Sequence, residues 1–370
     1  MPLAVAIKQA HFPDSEQTKD QARRRLAFDE LVLIQLGVME RRKAWKESMP
    51  GHPLHADPDV MGVLTASLPF KLTAAQHRVI AEVTTDLEKS IPMSRIVQGE
   101  VGSGKTVVAL AAIVIAVTNG QQAAFMAPTE LLAEQHFRTV RELLAGIVQP
   151  SLAADSYTLS FPGNTSPMNV ALLMGSTSRK RKSEVQQMVA QGGVHLLIGT
   201  HALFQKDIDF ANLGLAIVDE QHRFGVMQRT ELRQKGHNPH LLVMTATPIP
   251  RSLALTLYGD LDLSVIDELP PGRLQIKTRW LDASRRDTAY RFISREVESG
   301  RQAFIIYPLV EESEKLDVAA ATEEHTRLSH DVFPNLRLGL LHGRMKQQEK
   351  DKTMLAFRAG ELDVLISTAV

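Results

Sequence analysis

The chain has 370 residues, 44% hydrophobic and 23% charged, the composition of an ordinary globular protein long enough for two or three domains. Lys+Arg and Asp+Glu balance at 42 each, so net charge neither supports nor excludes a nucleic-acid partner, because a basic groove can be offset by acidic surface elsewhere. The absence of cysteine excludes disulfides and thiolate metal sites and fits a reducing cytoplasm, and no apolar run approaches the length of a membrane span.

The first 50 residues are helical in pattern, with Leu26, Leu31, Ile34 and Val38 predicted near one face. The start, MPLAVAIKQAHFPDS, lacks the shape of a signal peptide. The basic clusters at residues 23–25 and 41–43 read as charged ends of a solvated helix face sooner than as contacts to a phosphate backbone. Pro50-Gly51-His52-Pro53 breaks the helix. Residues 1–50 are too short and one-sided for a domain and are expected to pack on the lobe after them.

A first α/β lobe is expected over residues 51–271. Thr73 reads as the N-cap of a helix carrying Gln76, whose amide both donates and accepts and so suits an adenine edge. Next comes the most informative stretch, RIVQGEVGSGKTVVA. Residues 95–98 suit a buried strand, residues 107–117 suit a buried helix, and Gly99, Gly102, Gly104, Lys105 and Thr106 between them fill G-x-x-x-x-G-K-[ST]. Ser103 lies in the same loop. Such glycines let backbone N–H groups close around phosphate oxygens, and the helix start directs its positive end there. Lys105 is placed for the β/γ-phosphates and the Thr106 hydroxyl for Mg²⁺. A chance glycine turn is the plainer alternative, but strand, loop, Lys-Thr and helix all stand in order. The ligands expected are ATP and Mg²⁺.

Residues 123–127 are another apolar run, followed by Thr129 as a helix cap. Residues 149–169, rich in Ser, Pro, Gly and Asn, read as a surface insertion. Residues 170–174 are a predicted strand, and Arg179, Lys180, Arg181 and Lys182 follow as either a solvated face or a DNA-steering patch. Residues 194–198 end at Thr200, residues 213–218 end at Asp219-Glu220-Gln221-His222, and residues 241–244 end at Thr245-Ala246-Thr247. An Asp at the end of a buried strand is where a phosphate-loop ATPase holds Mg²⁺, and the next Glu can orient the attacking water. Unbroken apolar strands separated by helical segments predict a parallel sheet covered on both faces. After Pro270-Pro271-Gly272-Arg273 the pattern restarts over residues 272–370: strands at 277–281, 303–307, 338–341 and 364–367, helices at 283–300 and 347–358.

These motifs resemble the superfamily 2 helicases and translocases. The longer strings DEQHRFG, MTATPIPR, PLVEESEKLD and LHGRM resemble the RecG family of bacterial DNA helicases, which remodel stalled forks and Holliday junctions in recombination and repair. They also resemble the translocase half of a transcription-repair coupling factor, but PLVEESEKLD favours the RecG family.

The resemblance implies two RecA-like lobes driven by ATP and Mg²⁺. Lys105, Asp219 and Glu220 would be catalytic, Thr106 and Asp219 metal-holding, and Gln76 and residues 99–106 nucleotide-holding. It also implies that Gln221, His222, Thr245 and Thr247 couple the nucleotide site to DNA, and that Thr129, Thr200 and Thr368 touch the DNA backbone. The partner expected is branched double-stranded DNA, engaged by a monomer in the cytoplasm, with no membrane involved. Family members carry a wedge of the OB type before the lobes. Beyond the position of Thr368 they carry the rest of the second lobe, including arginines that reach the γ-phosphate. The chain is therefore expected to be an internal piece of a longer protein, with the second lobe incomplete. A nucleotide-binding piece without motor activity is the alternative.

Overall fold

The computed structural model describes residues 1–48, 51–150, 155–161, 167–200, 203, 208–219, 238–247, 261–270, 276–307 and 322–368. The chain divides into two units, Met1–Arg273 and Leu274–Val370.

The first unit opens with α1 (Leu3–His11) and α2 (Glu16–Ser48), which pack on each other. The expected face of α2 is corrected: Ala22 and Val38 are buried, whereas Leu31 and Ile34 are exposed along with Phe28, Leu33 and Met39. A reading of large apolar residues alone passes over Ala22, whose small side chain is fully buried.

Among the described residues, nine strands form one sheet in the order β3-β4-β5-β6-β2-β7-β8-β1-β9. They are β1 (Ser94–Gly99), β2 (Gln122–Met126), β3 (Val148–Pro150), β4 (Ser156–Leu159), β5 (Met168–Leu173), β6 (Leu196–Gly199), β7 (Leu213–Asp219), β8 (His240–Thr245) and β9 (Asp262–Ile266). From β5 to β9 all pairings are parallel, and β3 and β4 extend one edge antiparallel.

Both faces of the sheet are covered. Val97, Phe125, Ile198, Ile217 and Leu242 face one core, packed with residues of α3 (Pro58–Ser67), α4 (Ala74–Leu87), α5 (Lys105–Thr118) and α6 (Glu130–Leu143). Ile96, Ala124, Leu197, Val218 and Val243 face a second, closed by Val185 and Val189 of α7 (Arg179–Ala190). Strands buried on both sides have no polar face, which is why they read as continuous apolar runs. Helix α5 is apolar all round and buried from Val107 to Ala116, the position such a helix must take.

The expectation of a plain surface insertion at residues 149–169 is corrected. That stretch supplies β4 and the start of β5, and it buries Tyr157, Leu159, Phe161 and Met168. The Ser, Pro and Gly content of the stretch obscured these apolar positions in the sequence.

In the second unit, α8 (Arg286–Glu298), α9 (Gln347–Arg358) and the parallel strands β10 (Ala303–Tyr307), β11 (Leu338–Leu341) and β12 (Val364–Thr368) stand close to their predicted positions, in sheet order β10-β12-β11. Leu328, Phe333 and Ile366 form its buried cluster. The strand expected at residues 277–281 is corrected: it has no regular structure, and Ile276 and Trp280 are 75% and 86% exposed. An apolar run makes a strand only where a partner edge and a covering layer accept it.

Candidate functional site

Parallel pairing lines up the carboxyl ends of β1, β8 and β7. Gln98 pairs with Thr245, and Asp219 pairs with Met244. The ends of β1 and β7 thus lie two strand spacings, about 10 Å, apart. In open parallel sheets ligands bind outside these strand ends.

The loop leaving β1 is built by its glycines. Gly102 and Gly104 have φ of 80° and 94°, conformations that disfavour any Cβ. At Gly104 a Cβ would also strike Gln76 Nε2, and at Gly99 it would strike the Ser103 hydroxyl. The loop is closed on itself: Lys105 Nζ donates to the carbonyls of Gly99 at 2.7 Å and Glu100 at 3.1 Å. Ser103 is fully buried, and its hydroxyl has no partner among the described residues.

Gln76 sits against this loop. Thr73 caps α4 in a capping box: its hydroxyl accepts from Gln76 N–H, and Gln76 Oε1 accepts from Thr73 N–H at 2.9 Å. Gln76 Nε2 donates to the Ser103 carbonyl at 2.8 Å. The side chain thus supports the loop, with one donor and one acceptor position remaining. A cavity of about 230 Å³ lies over it, lined by Phe70, Gln76, Gly102, Gly104, Lys105, Thr106 and Pro270. Phe70 and Pro270 give the cavity an apolar wall that sequence reasoning missed. The only signal in the sequence was an aromatic residue, Phe70, six positions before Gln76.

Asp219 ends β7 with 8% exposure, and the Thr245 and Thr247 hydroxyls are 2.9 Å apart at the end of β8. Thr129 caps α6 by accepting from Leu132 N–H and is exposed. Thr200 and Thr368 end strand regions and are buried at 6% and 4% exposure. Glu220, Gln221 and His222 lie outside the described residues.

Two contacts escaped sequence reasoning. Glu130 Oε2 accepts from the Ser176 hydroxyl at 2.8 Å, and Oε1 accepts from Ser176 N–H at 3.1 Å, tying the start of α6 to the turn before α7. His136 of α6 contacts Asp219. The basic run is divided: Arg181 is held by Asp155 at 2.7 and 2.9 Å, whereas Arg179 and Lys180 are exposed.

The residues suit a magnesium nucleotide. The glycine cradle and the Lys105 ammonium match phosphate. Thr106 and Asp219 offer hard oxygen donors, the type Mg²⁺ takes together with phosphate oxygens. Among the described residues no group of three His, Asp or Glu makes an all-protein metal cage.

Residues 73–256 match the DEAD/DEAH box helicase family, and residues 285–370 match the helicase conserved C-terminal domain. The chain is 47% identical over 368 residues to the ATP-dependent DNA helicase RecG of Synechocystis sp., covering all of this chain and 42% of that protein. With the RecG of Bacillus subtilis the identity is 43%, covering 99% of this chain and 51% of that protein. A solved structure of RecG bound to a three-way DNA junction is 41% identical with a TM-score of 0.77, covering 98% of this chain and 45% of that one. The chain spans about half the length of the curated relatives it matches.

Proposed function

Because this chain belongs to the RecG-type superfamily 2 helicases, we propose that it is the ATP-driven core of a DNA helicase that acts on branched DNA in recombination and repair. The observation that carries this is the glycine loop between β1 and α5, with Lys105 and Thr106 following the end of β1 and Asp219 ending β7, two strands away at the same edge of the sheet.

In this reading, Lys105 leaves the carbonyls of Gly99 and Glu100 for the β/γ-phosphates when nucleotide enters. The loop N–H groups take phosphate oxygens, and Phe70 offers a face for the base. Thr106 and Asp219 hold Mg²⁺, which when bound neutralises charge on the transferring phosphate. Glu220 orients the attacking water. Gln221, His222, Thr245 and Thr247 relay the state of the nucleotide toward DNA. The exposed Thr129 cap, with Arg179 and Lys180, offers contacts to a DNA backbone, and Thr200 and Thr368 are assigned the same role by family position. An enzyme that draws on ATP and acts on bacterial DNA operates in the cytoplasm.

Single-turnover ATP hydrolysis, measured with and without a three-way DNA junction, tests the reading. Stimulation by the junction supports it. Hydrolysis that ignores DNA assigns the chain instead to nucleotide binding without a motor role.

A further inference from the structure

His136 joins α6 to the carboxylate at the end of β7. Its Nε2 lies 2.7 Å from Asp219 Oδ2, and the two side chains are 12% and 10% exposed. A carboxylate oxygen only accepts, so Nε2 carries the proton and donates. The ring is fixed from another side by Phe125 of β2, with centroids 4.5 Å apart and planes tilted by 49°. A ring packed this way cannot swing freely, so its N–H has one direction to offer. The bond spans elements far apart in sequence: Asp219 is on a central strand, whereas His136 is two turns into the helix that Thr129 opens. Packing alone requires no histidine here, because any flat ring would fill the space against Phe125. The N–H is what a histidine adds.

We propose that His136 is a positioning residue for the metal-binding carboxylate, its N–H holding Asp219 at the one rotation that suits the divalent cation of a bound nucleotide. This rests on the reading that the phosphate loop takes Mg-nucleotide. In this role His136 acts through Asp219. Its place on α6 makes the orientation of Asp219 depend on that helix. Partners that orient metal ligands typically change metal affinity by ~10–100-fold when removed.

The test is a Mg²⁺ titration of the binding of a fluorescent ATP analogue to the full chain, read by anisotropy without turnover. His136→Phe keeps a ring against Phe125 and loses the donor. His136→Gln places an N–H near the position of Nε2 and loses the ring. The Phe variant should need about tenfold more Mg²⁺ for half-maximal binding, with binding in EDTA unchanged, and the Gln variant should stay within about threefold of wild type. Wild-type Mg²⁺ dependence in the Phe variant overturns the proposal, as does a Gln variant as defective as Phe. If the Phe variant does not fold, His136→Ala removes the same donor and is read by the same outcomes. Lys105→Ala runs beside them. If it binds the analogue like wild type, the nucleotide reading itself has failed. If it loses binding while the His136 variants behave as wild type, only the role of His136 is refuted.

Discussion

Gln76 Nε2 donates to the Ser103 carbonyl at 2.8 Å, so the helix before the phosphate loop holds the backbone of that loop. The same amide accepts from Thr73 N–H, so one side chain both caps α4 and fixes the loop. Gln76→Ala strands a buried carbonyl, a loss of about 1–3 kcal/mol. The melting temperature should fall and Mg-ATP binding should weaken about tenfold, by anisotropy of a fluorescent analogue. A lower melting temperature with unchanged affinity would limit Gln76 to capping.

Two histidines predict an acid limb of stability. His240 Nδ1 accepts from Met93 N–H at 2.9 Å, Nε2 lies 2.9 Å from the His52 carbonyl, and burial holds its pKa below the ordinary 6.5. His195 is lowered by burial as well. For Asp86, burial pushes the pKa up, but hydrogen bonds from Lys89 and Arg95 outweigh it and hold the carboxyl below 3.8.

All three groups bind protons more weakly folded than unfolded, so the stability they contribute is lost as pH falls. The histidine contribution is complete above pH 6.5 and declines below it, and the Asp86 contribution declines below 3.8. Thermal melts should therefore show falling stability from about pH 6.5 downward, and His240→Gln should flatten that limb down to about pH 5. An unchanged slope in the variant would refute the assignment.

Much of this was legible in the sequence because the central strands and α5 are buried from both sides. Residues 213–218 and 107–117 could belong nowhere else in a soluble fold. The phosphate loop was legible for a different reason: its glycines are demanded by positive φ and close approach, constraints that are local. Contacts between distant elements were not legible. Neither His136–Asp219 nor Glu130–Ser176 leaves a pattern along the chain. Edge elements were missed in both directions. β9 and β4 are half-covered and carry weak apolar signals, whereas Ile276 and Trp280 carry a strong one and pair with nothing in a sheet.

The basic run has two readings that salt separates. Arg181 is committed to Asp155 and Lys182 is half-buried, so the exposed members of the run are Arg179 and Lys180. Replacing both by Ala should weaken binding to a three-way junction and reduce the slope of log K against log[salt] by about 2, as expected for two lost phosphate contacts. An unchanged slope would make the run a solvated face.

Glu220 and Asp219 adjoin in sequence but are given different tasks. Glu220→Gln should leave Mg-ATP binding near wild type and lower single-turnover hydrolysis by at least about 10²-fold, since an amide cannot take the proton from water. Hydrolysis at the wild-type rate in this variant would move the base elsewhere.

Every nucleotide-linked role proposed for this chain depends on the phosphate loop, and Lys105 is its most direct handle. Its ammonium, held by the carbonyls of Gly99 and Glu100, is assigned to the β/γ-phosphates. The decisive measurement is equilibrium binding of a fluorescent ATP analogue with Mg²⁺ to wild type and Lys105→Ala, after thermal melts establish that both are folded. Wild type should bind saturably and the variant at least about tenfold more weakly, a loss of about 1.4 kcal/mol or more. Equal affinity in the two folded proteins would contradict the assignment and remove the nucleotide from this site.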